Sequence, residues 1–482
     1  MKGVLPLRWR HVRWVLAAGA LPVIWACNSP PLAPPNPAPE RTVNEVFQAA
    51  VNRDIDILFM VDNSPSMRPL QTKLATNFPI FINTLSNLPG GLPNVHIAVV
   101  SSDMGSGPMA PTQQCRVGGD GGQFQNTPRV AGCTSGLPAD QHFFASVNGM
   151  KNFTGDIATD FACVAQLGDL GCGFEHQFAS MLRALEPGGN LPATNANFLR
   201  STAFLSIILI TNEDDCSAPP DSNLFDTNSQ LVSDPLGPLA SYRCNEFGHL
   251  CGGMKPPRTP AMLTGCTSAE DGRLLKVAEV IDRTKALKGG DLSKILVAAV
   301  AGPPTPYNVV LAPGTTATGV TEQQPNIQHS CQEATDNTYA DPGVRLKMWV
   351  DAFKGTYVSI CDRTFEKALT QIADAIGKAI GPQCIEGKLV DSDLNTAGVQ
   401  PDCVVSDITT NAQGQRVETP LPSCIKSNNA HPCWEPRNDP ASCNGANKTL
   451  INVNRDGAKP SDLNTSVSCA VCIPGTMNPG CN

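Results

Sequence analysis

Asp62, Ser64 and Ser66 stand in a D-x-S-x-S spacing at the end of an apolar run, Asp56 to Val61. One carboxylate and two hydroxyls this close form a compact oxygen cluster. A hard divalent cation such as Mg2+ prefers about six oxygens and keeps waters or a partner's oxygen in its shell. The three side chains supply part of that shell and leave a position vacant. The same residue types also suit a helix N-cap, where Ser and Asp are preferred. A second polar group, Asn212, Glu213, Asp214 and Asp215, follows the apolar run Phe204 to Ile210. Glu175-His176 lacks the second histidine of a zinc protease motif, and neither a G-x-S-x-G elbow nor a phosphate-binding glycine loop occurs.

Positioning such groups requires strands that end at one edge. Five apolar runs are rich in β-branched residues: 56–61, 96–100, 204–210, 294–300 and 356–360. Continuous rather than alternating apolar character is expected of strands buried on both faces of a parallel sheet. Helical stripes lie between them. One carries Leu70, Leu74, Phe78, Ile82 and Leu85, where Pro79 predicts a kink or break. Another carries Phe174, Phe178, Met181, Leu182 and Leu185; Ser268 with Asp271 resembles a capping box opening a third through Leu274, Val277 and Ile281. Phe365, Leu369, Ile372, Ile376 and Ile380 form the clearest stripe, stopped by Gly381-Pro382. The alternation predicts an α/β fold with a doubly wound, mostly parallel sheet over residues 43–383. Regions near 104–160 and 217–265 are rich in Gly, Pro, Asn, Ser and Cys and read as long loop insertions stapled by disulfides. Residues 384–482 hold eight cysteines and few helical stripes, which predicts a small cysteine-rich, β-rich C-terminal module.

The D-x-S-x-S motif after an apolar first strand resembles the start of the metal-ion-dependent adhesion site of the von Willebrand factor type A family. The resemblance runs from about Val51 to Ile380, strand order included. It implies Ser64 and Ser66 as direct ligands of Mg2+, with Ca2+ or Mn2+ as alternatives, and Asp62 as a direct or water-mediated one. It also implies that a bound partner fills the vacant position with a carboxylate or other oxygen. Two positions depart from the family. Cys172 falls where a loop threonine is usual, and Asn212 falls where a strand-end aspartate is usual. Either the Asn212 amide oxygen or a following carboxylate, with Asp214 among the expected ligands, would take the aspartate's part.

The remaining features bound the address and the partner. Lys2, Arg8, Arg10 and Arg13 precede an apolar run of 13 residues, 14–26, too short to span a bilayer. This has the form of a secretion signal, 1–26. Its end, Val23 to Cys27, resembles the bacterial lipobox, which implies lipidation of Cys27; Asn28 implies outer-membrane sorting. Residues 27–42 form a proline-rich spacer. The chain has 19 cysteines, and setting Cys27 aside leaves 18, an even set that reads as a disulfide framework in an exported protein. A net charge of −8 without basic clusters argues against nucleic acid as a partner. The expectation is a non-enzymatic, cation-assisted ligand-binding or adhesion protein, held to the cell envelope by lipid alone, with a protein or envelope ligand that offers a carboxylate. The alternative is a metal-free structural envelope protein that reuses the fold. A metal-dependent hydrolase built on Glu213, Asp214 and Asp215 ranks behind both, because no nucleophile or base accompanies them.

Overall fold

The five apolar runs form the parallel part of one seven-stranded sheet in the computed structural model. The structure describes residues 41–47, 52–88, 91–107, 115–381, 384–385, 387–410, 416–439, 443, 449–456, 464–473 and 479–481, with backbone alone at 41–47, 410, 416 and 464. The leader and Cys27, with nearly all of the spacer, lie outside the described residues. Along the chain the sheet strands are β1 (Asp54–Val61), β2 (Asn94–Ser101), β3 (Phe144–Val147), β4 (Met150–Lys151), β5 (Phe204–Ile210), β6 (Ile295–Ala301) and β7 (Thr356–Ser359). Their order across the sheet is β7-β6-β5-β1-β2-β3-β4. Strands β7, β6, β5, β1 and β2 are parallel, and β3 and β4 close one edge antiparallel. The chain leaves β1 toward β2 on one side and returns to β5 on the other. The strand order therefore reverses beside β1, and a crevice opens there at the carboxyl ends of the strands.

Both faces of the sheet are covered, which explains the continuous apolar runs. Ile55, Ile57, Phe59 and Val61 of β1 face one core, and Leu58 and Met60 face the other. The first core is closed by α1 (Arg68–Ser86), α2 (Ile157–Val164) and α7 (Glu366–Ile380). The second is closed by α3 (Gln177–Leu185), α5 (Val277–Ala286) and α6 (Val344–Ala352), while the short α4 (Tyr242–Gly248) belongs to an insertion. Phe59 meets Phe78, Phe81 and Phe161 at ring-centroid distances of 5.5, 5.4 and 5.1 Å, so aromatic packing fixes α1 and α2 to β1.

Several expectations are corrected. Pro79 does not break its helix; α1 runs unbroken for 19 residues because Leu70, Leu74, Phe78, Phe81, Ile82 and Leu85 are all buried along it. Ser268 and Asp271 do not open α5. That helix starts at Val277, and the Glu270 carboxylate accepts from Val277 N (3.0 Å) and Ala278 N (3.3 Å). Ser268 instead ends a short strand, Cys266–Ser268, and its hydroxyl accepts from Arg345 Nη1 (2.8 Å). The segment near 104–160 is not all insertion, since β3, β4 and the start of α2 lie within it. A further insertion was not anticipated: the hairpin Tyr307–Thr315 and Thr321–Gln328, which pairs with Ala261–Leu263.

Nine disulfides join the described cysteines. Five staple the large α/β part: Cys115–Cys172, Cys133–Cys163, Cys216–Cys244, Cys251–Cys266 and Cys331–Cys361. The eight cysteines from Cys384 onward pair among themselves. They hold an antiparallel sheet of Cys403–Thr410, Arg416–Leu421 and Asn464–Val471 over a core of Val405, Leu421, Trp434 and Val467. The fourth strand of this sheet is Arg41–Phe47, which pairs with Asn464–Val471. The segment placed at the start of the large domain therefore extends the small module. Among the described residues no helix is long and apolar enough to cross a membrane.

Candidate functional site

At the carboxyl end of β1 the chain turns into a short 3-10 turn, Pro65–Met67, before α1. Ser64 occupies the N-cap position, but its side chain makes no cap hydrogen bond. Its hydroxyl lies 3.2 Å from the Ser66 hydroxyl instead. Ser66 Oγ in turn donates to Asn212 Oδ1 at 3.2 Å, across from the end of β1 to the end of β5. The Asn212 amide is oriented by its other end, since Nδ2 donates to the Tyr339 carbonyl (3.2 Å). Its oxygen is thereby turned to the cluster.

Asp62 is fully buried behind these groups. Its Oδ1 accepts from Ser64 N (2.8 Å) and Ser102 Oγ (3.4 Å), and its Oδ2 accepts from Thr211 Oγ1 (2.7 Å). Burial raises the Asp62 carboxyl above its ordinary value, and these donors work against that rise. Gln177 Nε2 donates to Thr211 Oγ1 (3.0 Å), and Gln71 Nε2 bridges the carbonyls of Asp62 and Gly168 at 2.8 Å each. The crevice thus gathers one carboxylate, three serine hydroxyls and an amide oxygen. Ser102, Thr211, Gln71 and Gln177 were not singled out in the sequence. Ser102 and Thr211 each lie just past the carboxyl end of a strand flanking β1, and that position was their available signal.

Asp214 does not join the cluster. Its Oδ2 accepts from His249 Nε2 (2.8 Å) and Arg345 N (2.8 Å), and its Oδ1 accepts from Leu346 N (3.1 Å). It caps the start of α6. Burial raises its carboxyl, but the His249 bond and the Arg345 contacts outweigh that and hold it below the ordinary value. Asp215 accepts from Phe178 N (2.9 Å) and pairs with buried Arg345 (3.0 Å). Glu213 sits beside Glu175 and Asp341 in a small polar pocket. Burial, with Asp341 and Asp62 nearby, pushes Glu213 up to about 8, and burial and Glu213 raise Glu175 well above its ordinary range.

The oxygen set suits a hard cation. Cys172 contributes no ligand atom, because its sulfur is bonded to Cys115. Among the described residues no group of three His, Cys, Asp or Glu side chains is arranged to hold a metal, so a cation here depends on hydroxyl and amide oxygens.

No family model and no curated protein matches the chain. Among solved structures, the chain is similar to the pilus adhesin SpaC from Lactobacillus rhamnosus GG in its open conformation. The identity is 13%, covering 91% of this chain and 41% of that one, with a TM-score of 0.29. It is also similar to the human COPII-coat protein Sec24c (9% identity, 89% and 42% covered, TM-score 0.26). The pilus adhesin RrgA from Streptococcus pneumoniae matches at 12% identity, with 92% and 59% covered and a TM-score of 0.21. The chain thus spans about two fifths of SpaC and of Sec24c.

Proposed function

We propose that the chain is a cation-assisted ligand-binding protein of the von Willebrand factor type A kind, exported and held to the cell envelope by a lipid on Cys27. The observation that carries this reading is the convergence of Asp62, Ser64, Ser66 and Asn212 at the point where the strand order reverses. Mg2+, or Ca2+ or Mn2+ in its place, would sit on Ser64, Ser66 and the Asn212 oxygen, with Asp62 behind. The ion would supply a Lewis-acidic position for a carboxylate on a protein or envelope ligand. Binding rather than turnover fits the acidic group, since Asp214 and Asp215 are tied to His249, α6 and Arg345.

Calorimetric titration of Mg2+, Mn2+ and Ca2+ into the purified chain without its leader tests the site, beside the Ser64→Ala, Ser66→Ala double variant. Saturable binding that the variant loses is the expected result. Absence of binding in the wild type would favour a metal-free structural protein, a reading that draws on the Cys115–Cys172 bridge and on Asp214 being engaged elsewhere. The anchor is tested separately by the mass of the mature N-terminus, where an unmodified Cys27 would sink the lipid assignment.

A further inference from the structure

The segment 168–176, between α2 and α3, runs past the carboxyl ends of β1 and β2 to the loop after β5. Gly168 O accepts from Gln71 Nε2, which also donates to Asp62 O. Gly171 N donates to Asn63 O (2.9 Å), His176 N to Ser102 O (3.0 Å), and Cys216 N to Glu175 O (2.8 Å). The approach at Gly171 is so close that a Cβ there would fall 2.3 Å from Asn63 Oδ1. Apart from an exposed ion pair of Asp169 with Arg68 and a bond of Glu175 to Glu213, these contacts are made by backbone or by an amide.

The covalent anchor is Cys172, which is fully buried among Cys115, Phe174, Cys216 and Phe225. Its disulfide partner Cys115 lies 57 residues earlier, just before the turn at 117–122. That turn is itself fixed to the loop after β2: Asp120 N and Gly121 N donate to Asp103 O, and Ser101 Oγ donates to Asp120 Oδ2 (2.7 Å). Ser102, between these contacts, donates to Asp62.

We propose that the Cys115–Cys172 disulfide is a positioning element of the cation site: it clamps segment 168–176 onto Asn63 and Ser102, and so holds Asp62, Ser64 and Ser66 in register. The proposal rests on the ion-binding reading above. It assigns Cys172 a role different from that of a ligand-bearing residue. Groups outside a metal's own ligands, when removed, weaken affinity by about 10- to 100-fold.

Three variants of the chain without its leader separate positioning from general stability. Cys115→Ser with Cys172→Ser removes the clamp. Gly171→Ala keeps the disulfide and crowds the Asn63 side-chain amide at the contact with the segment. Cys424→Ser with Cys433→Ser removes a disulfide of the C-terminal module as a control. Each is titrated with Mg2+, Mn2+ and Ca2+, and its thermal midpoint and circular dichroism are recorded alongside. The clamp variant and Gly171→Ala should each bind about tenfold or more weakly, while the control keeps wild-type affinity even where its thermal midpoint falls. Wild-type affinity in the folded clamp variant, or in folded Gly171→Ala should the clamp variant not fold, would overturn the positioning role and leave the ion site standing. No binding in the wild type would overturn the ion site and the positioning role with it.

Discussion

Replacing Arg345 with methionine removes the cation paired with the fully buried Asp215 carboxylate. Arg345 and Asp215 are both inaccessible to solvent, and the guanidinium reaches Asp215 Oδ2 through Nε (3.2 Å) and Nη2 (3.0 Å). It also donates to Ser268 Oγ and to the Leu275 carbonyl. Without it, Asp215 keeps Phe178 N, Ser217 N and Ser217 Oγ as donors but loses its countercharge. Burial already raises this carboxyl, and Arg345 is the first influence opposing that rise. Breaking a buried pair by removing one partner costs about 3–5 kcal/mol. In a domain of this size that corresponds to a fall of roughly 6–10 °C in thermal midpoint. The assay is urea denaturation at pH 7 with disulfides intact, on Arg345→Met and on the same chain carrying Asp215→Asn as well. The double variant should recover much of the loss, because the uncompensated charge is gone. A single variant within about 1 kcal/mol of wild type, or a double variant no more stable than the single, would refute the reasoning.

Other expectations follow from the same contacts. Thr211→Val takes away the 2.7 Å donor to Asp62 Oδ2 and should cost about 1–3 kcal/mol; it should also weaken cation affinity more at pH 5.5 than at pH 8, since the Asp62 carboxyl rises further, and titration at both values checks it. Glu213 holds its proton in the folded state up to about 8, against 4.5 ordinarily, so stability should fall as pH rises through that window. Urea midpoints at pH 5 and pH 8.5 should show a smaller fall in Glu213→Gln. Phe161→Ala empties a fully buried position against Phe59 and Phe78 and should cost about 3–5 kcal/mol by the same denaturation assay.

The central strands were legible because burial on both faces leaves a mark that needs no context: runs such as Phe204–Ile210 carry no polar side chain except Ser206. The D-x-S-x-S group was legible because its place after such a run puts it at a strand's carboxyl end. What escaped depends on partners far along the chain. Asp214 resembled a ligand in the sequence, yet its bonds go to the start of a helix more than a hundred residues later. Ser268 had the spacing of a cap, yet Arg345 claims its hydroxyl and Glu270 does the capping. Pro79 carries a real local cost, and the packing of α1 against α2 and α7 overrides it. The small module's fourth strand was hidden for a simpler reason: a strand at one end of the chain pairs with a strand more than four hundred residues away, and no local pattern records that.

That last pairing has a mechanical meaning. Arg41–Phe47 is matched over its full length to Asn464–Val471, and the neighbouring strand is bound to the latter by the Cys403–Cys469 disulfide. For a protein held by its first residues, tension entering at Arg41 meets this sheet before it reaches β1. In the tethered protein proposed above, the small module would stand between the anchor and the oxygen cluster at the end of β1.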